Sequence, residues 1–291
     1  MPMELDFYKV HACRNDLILL NYLYKDQFPD RRLLPLLARR MCDRHSGVGA
    51  NGLLVLERGS EHPVRLTHLL PTGEVTDRQN DALLCLARIA FDSGVSGGKR
   101  VVVESRVGVR TVDFIDSAHF RVSIGRPSAV DGSVELREEP NREYTTPVKI
   151  DGKRYSVTPL HLQYPSAVLF STDWSRAKLM HLSRSLRQPA VYSHGVHPVF
   201  CQVYSKDEMA IRTWFRREPV DYSSAAGIAV VAAVLNGLAD REVLVHCNND
   251  ELFVQWQEAT NEVYVTGSVD YLFTGTYYFE EERQTEEAPP L

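Results

Sequence analysis

The chain has 291 residues, 44% of them apolar and 24% charged, the make-up of an ordinary soluble globular protein with room for two cores. A net charge of −5 and the lack of any basic stripe give no electrostatic footprint for nucleic acid. No segment reaches the ~18 apolar residues that span a bilayer, and Met1–Asn21 lacks the basic start and apolar run of a signal peptide. Neither a nucleic-acid nor a membrane partner is expected.

The five cysteines (Cys13, Cys42, Cys85, Cys201 and Cys247) are odd in number and form no C-x-x-C pair. This predicts buried thiols in a reduced, cytoplasmic protein. His11 with Cys13, and His246 with Cys247, have no second ligand pair nearby, so no metal and no cofactor is expected.

In chain order, Met3–Val10 alternates as a strand and Leu17–Leu23 reads as a buried one. Asp30 caps a helix to about Asp43, with Leu33, Leu34, Leu37 and Met41 on one face. The loop Ser46–Gly52 carries three glycines but opens a strand, Leu53–Glu57, which is the wrong context for a dinucleotide fold. Val64–Leu70 is a strand. After the turn Pro71-Thr72-Gly73 comes a polar entry into an apolar helix, Ala82–Asp92. Arg100–Glu104, Val107–Ile115 and His119–Ile124 are strands divided by short turns, and Gly125–Ser128 has the look of a boundary.

The pattern then starts again. Thr145–Ile150, Lys153–Leu162 and Ala167–Phe170 read as strands, and a helix falls near Trp174–Arg187. His197–Tyr204 and Met209–Phe215 are strands before a second polar entry and a small-residue helix, Ser223–Gly237. Glu242–His246, Leu252–Glu258 and Val263–Val269 close the sheet, Tyr271–Phe279 remains, and Glu280–Leu291 reads as an acidic, disordered tail. The two halves share one plan: an α+β fold, its strands mostly antiparallel, arising from an internal duplication. Each central helix gathers polar groups at its N-terminus, where N–H groups and the dipole favour an anion. Two such starts can face each other across a cleft.

Three stretches resemble the diaminopimelate epimerase family. Lys9-Val-His-Ala-Cys-Arg-Asn-Asp16 is similar to its K-M-H-G-L-G-N-D, and Asp43-Arg-His-Ser-Gly-Val-Gly-Ala-Asn-Gly-Leu-Leu-Val55 to its D-R-H-x-G-V-G-A-D-G-L-L-V. Val265-Thr-Gly-Ser-Val-Asp-Tyr-Leu-Phe-Thr-Gly275 is similar to its T-G-P-A-x-x-V-F-x-G. The resemblance implies two pseudo-symmetric halves, each a barrel-like sheet around a central helix, with the site in the cleft between and a homodimer as the assembly. It implies an N-terminal half, 1–126, completed by strands at about 268–279, and a C-terminal half, 127–267.

The family inverts an α-carbon with two thiols, one per half. Aligned without gaps, its first catalytic cysteine falls on Gln79 and its second on Ser224. An amide exchanges no proton at usable pH. A serine hydroxyl is a far weaker acid than a thiol, and at a helix start it is ordinarily a cap. Asn15 and Arg216 match ligand positions of the family, and Asn80, Asp81, His197 and Ser223 fall on others with changed chemistry. Leu70, Tyr164-Pro165-Ser166 and Phe215 replace further ligand residues, so two-thiol stereoinversion is not expected.

One expectation is therefore a homologue with a repurposed cleft that binds a small molecule or a protein. A second keeps an isomerase. The related phenazine-biosynthesis isomerases work with carboxylates in place of thiols, and Asp77, Asp81, Glu218 and Asp221, with His197 as partner, are the candidates here. A third, a genuine epimerase, would need Cys13 or Cys201 to reach the cleft.

Overall fold

The computed structural model describes residues 2–13, 15–25, 30–77, 80–95, 98–106, 108–139, 142–173, 175–188, 192, 195–213, 222–248 and 250–280. In the first half the strands are β1 (Met3–Ala12), β2 (Asn15–Asn21), β3 (Gly52–Glu57), β4 (Val64–Leu69), β5 (Arg100–Ser105), β6 (Gly108–Phe114) and β7 (His119–Gly125). Helix α1 (Leu34–Cys42) lies between β2 and β3, and α2 (Asn80–Asp92) between β4 and β5. A 3₁₀ turn, Arg31–Leu33, precedes α1, and Asp30 caps it by accepting the Arg32 N–H, so the predicted cap holds for this turn rather than for α1 itself.

The plan repeats in β8 (Thr146–Ile150), β9 (Lys153–Leu162), β10 (Tyr164–Phe170), β11 (His197–Val203), β12 (Glu208–Thr213), β13 (Glu242–Cys247), β14 (Asp250–Trp256) and β15 (Val263–Ser268). Helix α3 (Arg176–Leu186) separates β10 from β11, and α4 (Tyr222–Leu235) separates β12 from β13. The last strand, β16 (Asp270–Phe279), returns to pair with β1.

The strands form one sheet in the order β16-β1-β2-β3-β4-β5-β6-β7-β15-β14-β13-β12-β11-β10-β9-β8. Four neighbouring pairs are parallel: β2 with β3, β4 with β5, β10 with β11 and β12 with β13. Each of these is a strand–helix–strand crossover, because a parallel partner cannot be reached by a tight turn. The expectation of mostly antiparallel strands stands, and these four helix-bearing connections are its exceptions. The two runs of strands meet where β7 pairs with β15, antiparallel.

The two central helices explain the wrapping. From Ser223 to Leu235 every residue of α4 is buried. Such a helix has no polar face to turn to water and must be enclosed by sheet. Gly227 makes the enclosure tight, since a Cβ there would fall 2.2 Å from Ile124 Cδ1. In α2, Ala82–Ala87, Ile89 and Ala90 are buried as well. Both helices follow the C-terminal end of a strand, β4 or β12, and their first turns are brought together at the centre of the molecule.

Candidate functional site at two facing helix starts

The first turn of α2 supplies the carboxylate that caps α4. Asp81, only 1% exposed, accepts the backbone N–H groups of Tyr222 (3.1 Å) and Ser223 (3.2 Å), the Ser223 hydroxyl (2.5 Å) and the Asn15 amide (3.3 Å). The first N–H groups of a helix have no partner within it, and each helix start carries roughly half a positive charge. Two starts brought together therefore repel, and one buried carboxylate between them offsets both. Ser224 is not the cap that the sequence suggests. It lies two residues inside α4, where its Oγ accepts the Asn80 amide at 2.7 Å.

Asn80 is the second bridge. Its Nδ2 also reaches Gln163 Oε1 (3.1 Å), and its Oδ1 takes Gln163 Nε2 (3.3 Å) and Arg110 Nη2 (3.1 Å). Gln163 donates in addition to the Ile124 carbonyl. It occupies the turn between β9 and β10 with φ 68°, a conformation L side chains rarely adopt. Asn80 and Ser224 are both fully buried, so the bond between them joins groups with no access to water.

A polar chain runs outward from Asp81. Asn15 accepts Asn51 Nδ2 at 3.2 Å, and Asn51 Oδ1 accepts Arg44 Nη2 at 2.9 Å. Arg44 also grips both oxygens of Asp16 (3.1 and 2.7 Å), which takes the buried Lys9 ammonium at 2.7 Å. Lys9 further donates to the Gly49 carbonyl. Burial alone would raise the Asp16 carboxyl, but the hydrogen bonds from Arg44 and Lys9 outweigh it and hold the group below its usual range. The first two family-like stretches of the sequence thus meet in one cluster. Gly47 serves the same loop, where a Cβ would lie 2.0 Å from the Arg40 carbonyl oxygen.

All five thiols are free and buried. Cys13 stands at the β1–β2 turn with φ 52°, close enough to the centre for the Asp81 charge to act on it. Burial first, then Asp81 and the groups around it, push its thiol well above the ordinary value. Burial does the same for Cys85, Cys201 and Cys247, and takes Cys42 to about 12. None of these is a thiolate near neutral pH, and a proton-abstracting thiol must be one.

The remaining candidates divide. His197 opens β11, pairs in register with Ser166, and rests its ring 4.4 Å from that of Tyr164. Asp77 stands apart from the buried cluster, more than half exposed and paired at 3.4 Å with Arg106. Gln79, Arg216, Glu218 and Asp221 lie outside the described residues, as does the tail beyond Glu280. Among the described residues no group of three or more His, Cys, Asp or Glu is placed to hold a metal, and no helix is long and apolar enough to cross a membrane. The structure adds Asn51, Gln163 and Arg110 to the cluster. Asn51 stands where the family-like motif has Asp, and Gln163 directly precedes the Tyr164-Pro165-Ser166 segment, so both carried a signal; Arg110, inside a plain strand pattern, carried none.

Comparison with known proteins gives this arrangement its place. The structure matches that of a phenazine biosynthesis protein of the PhzF family from Enterococcus faecalis, with TM-score 0.67 and 13% identity over 95% of this chain and 100% of that one. It also matches a hydroxyproline epimerase from Agrobacterium vitis bound to trans-4-hydroxy-L-proline, with TM-score 0.67 and 11% identity over 97% and 95% of the two chains. The fold is thus that of the diaminopimelate epimerase and PhzF proteins. Within it, the full-length similarity is to diaminopimelate epimerases, among them that of Pelotomaculum thermopropionicum, 29% identical over 277 residues, or 93% of this chain and 98% of that protein. No protein-family model matches.

Proposed function

We propose that this chain is a diaminopimelate epimerase homologue that does not invert amino acids by the two-thiol route. Its facing helix starts serve as an internal, anion-bridged joint, and its binding role is toward a small molecule or a partner protein. The observation that carries this reading is the Asp81 carboxylate seated on the first turn of α4. The chain itself fills a place that would suit a substrate carboxylate or a thiolate. Ser224, at one family cysteine position by alignment, is engaged by Asn80, and the buried thiols are held protonated. A homodimer belongs to the same reading.

A carboxylate isomerase is the second reading, and one observation favours it: Asp81 is a buried acid between the two helix starts, 2.5 Å from a hydroxyl. Against it, the two oxygens already take four donors, which leaves little room for a substrate proton. Incubation in D₂O with LL-diaminopimelate and a panel of amino acids, followed by NMR, separates the two. The proposed reading expects no deuterium at any Cα. Deuterium incorporation abolished by Asp81→Asn would replace it with the isomerase.

A further inference from the structure

A groove of about 540 Å³ runs along the seam where β7 pairs with β15, beside the helix starts and separate from the Asp81 bridge. Three arginines line it (Arg100, Arg110 and Arg126), with His161, against two carboxylates, Asp113 and Glu262. Both carboxylates are already committed. Asp113 takes Arg100 Nε at 2.6 Å and Arg121 Nη2 at 2.9 Å, and Glu262 takes the Tyr264 hydroxyl at 2.7 Å and the Ser123 hydroxyl at 3.3 Å.

Arg126 is held differently. Its contact with Glu135 is 3.5 Å long and half-exposed on both sides, the kind of surface pair that contributes little and opens easily. Its guanidinium can swing toward the groove without breaking a buried bond. Arg110 also lines the groove, anchored to Asn80 and to the Ser123 carbonyl. The volume suits a small metabolite, and the guanidinium forks in its lining match the geometry of a carboxylate or phosphate.

We infer that this seam groove binds a small anion bearing carboxylate or phosphate groups, gripped between Arg126 and Arg110. Through Arg110 the ligand would touch the Asn80–Ser224 bridge, so occupancy would be felt at the joint between the halves. The inference deepens the proposed binding role by naming a site and a ligand class. The exchange experiment above tests the loss of epimerisation, and the titration below tests only the groove, so either can fail alone.

The test is a titration of the full chain with citrate and with inorganic phosphate at constant ionic strength, followed by ¹H–¹⁵N NMR. The expected result is saturable shifts at groove residues and at the Asn80 side-chain amide. Arg126→Glu, a change at a half-exposed site that leaves the fold intact, would weaken binding at least about tenfold; Arg126→Ala would weaken it less. Tighter binding of citrate assigns a carboxylate ligand, and tighter binding of phosphate a phosphorylated one. No saturation by either anion up to about 10 mM, or equal shifts in Arg126→Glu, would overturn the inference.

Discussion

Asp81 of α2 accepts the Ser223 hydroxyl of α4 at 2.5 Å and the Ser223 N–H at 3.2 Å, so one helix caps the other across the centre of the molecule. A cap ordinarily comes from the residue just before its own helix. Here it comes from 141 and 142 residues away, which makes it a tertiary staple as well as a cap.

Removal of this staple should be costly. Asp81→Ala removes the acceptor of the buried Ser223 N–H and hydroxyl and of the half-buried Tyr222 N–H, and is expected to destabilise by about 2–5 kcal/mol, since each unmet buried donor costs roughly 1–3. Asp81→Asn keeps one accepting oxygen and should cost less, as should Ser223→Ala, which loses only the hydroxyl bond. Urea unfolding of the three variants would show this order. A Asp81→Ala protein as stable as the wild type would mean that the helix starts do not depend on the carboxylate.

The thiols give a second prediction. With burial raising all five, none should be alkylated by iodoacetamide in the native protein at neutral pH, and all should react after unfolding. The linked effect on stability has a definite sign. A group whose folded value lies above its unfolded value, near 8.5 for a thiol, contributes fully below that pH and is lost as pH rises toward the folded value. Unfolding free energy should therefore fall between about pH 8.5 and pH 12. Fast native alkylation of any one cysteine would single it out as a reactive thiol and reopen the epimerase reading, Cys13 first.

Cysteines placed at the two aligned positions should not confer epimerisation. In Gln79→Cys/Ser224→Cys the Asp81 carboxylate still sits on the first turn of α4, where it repels both a second thiolate and a substrate carboxylate. The expected outcome is no interconversion of LL- and meso-diaminopimelate by chiral chromatography. Measurable turnover in the double variant would show that the staple yields to substrate.

The sequence shows why the fold is easy to read and the centre is not. Central helix α4 is apolar on every side, and polar-entry helices recur at matching places in the repeated order of elements, so local pattern and its repetition make the architecture legible. The family-like motif around Arg44 and Asn51 likewise marks a tight polar loop. But whether Asp81 meets a ligand, solvent or another helix depends on how two distant first turns are set against each other, and no local pattern encodes that. Ser224 illustrates the same limit: helix-start chemistry suggests a cap, while the partner that claims its hydroxyl, Asn80, is 144 residues away. Gln163 and Arg110 belong to the cluster for the same non-local reason.

The edge strand carries the last prediction. β16 ends the order of described strands and leaves Leu272 (49% exposed), Phe273 (50%) and Tyr278 (62%) turned outward. A register shift opposite Lys9 and Val10 leaves Leu272 without a partner on β1, so its exposed side chain stands at this edge. An edge of this kind invites pairing with another chain, and a two-fold contact of β16 with its own copy satisfies both edges with one patch. The full chain should therefore run as a dimer by light scattering at micromolar concentration, with an unfolding midpoint that rises with concentration. Leu272→Glu places a carboxylate on that patch in both copies and should give a folded monomer. A wild-type chain that stays monomeric at every concentration, or a dimer indifferent to Leu272→Glu, would assign those side chains another role.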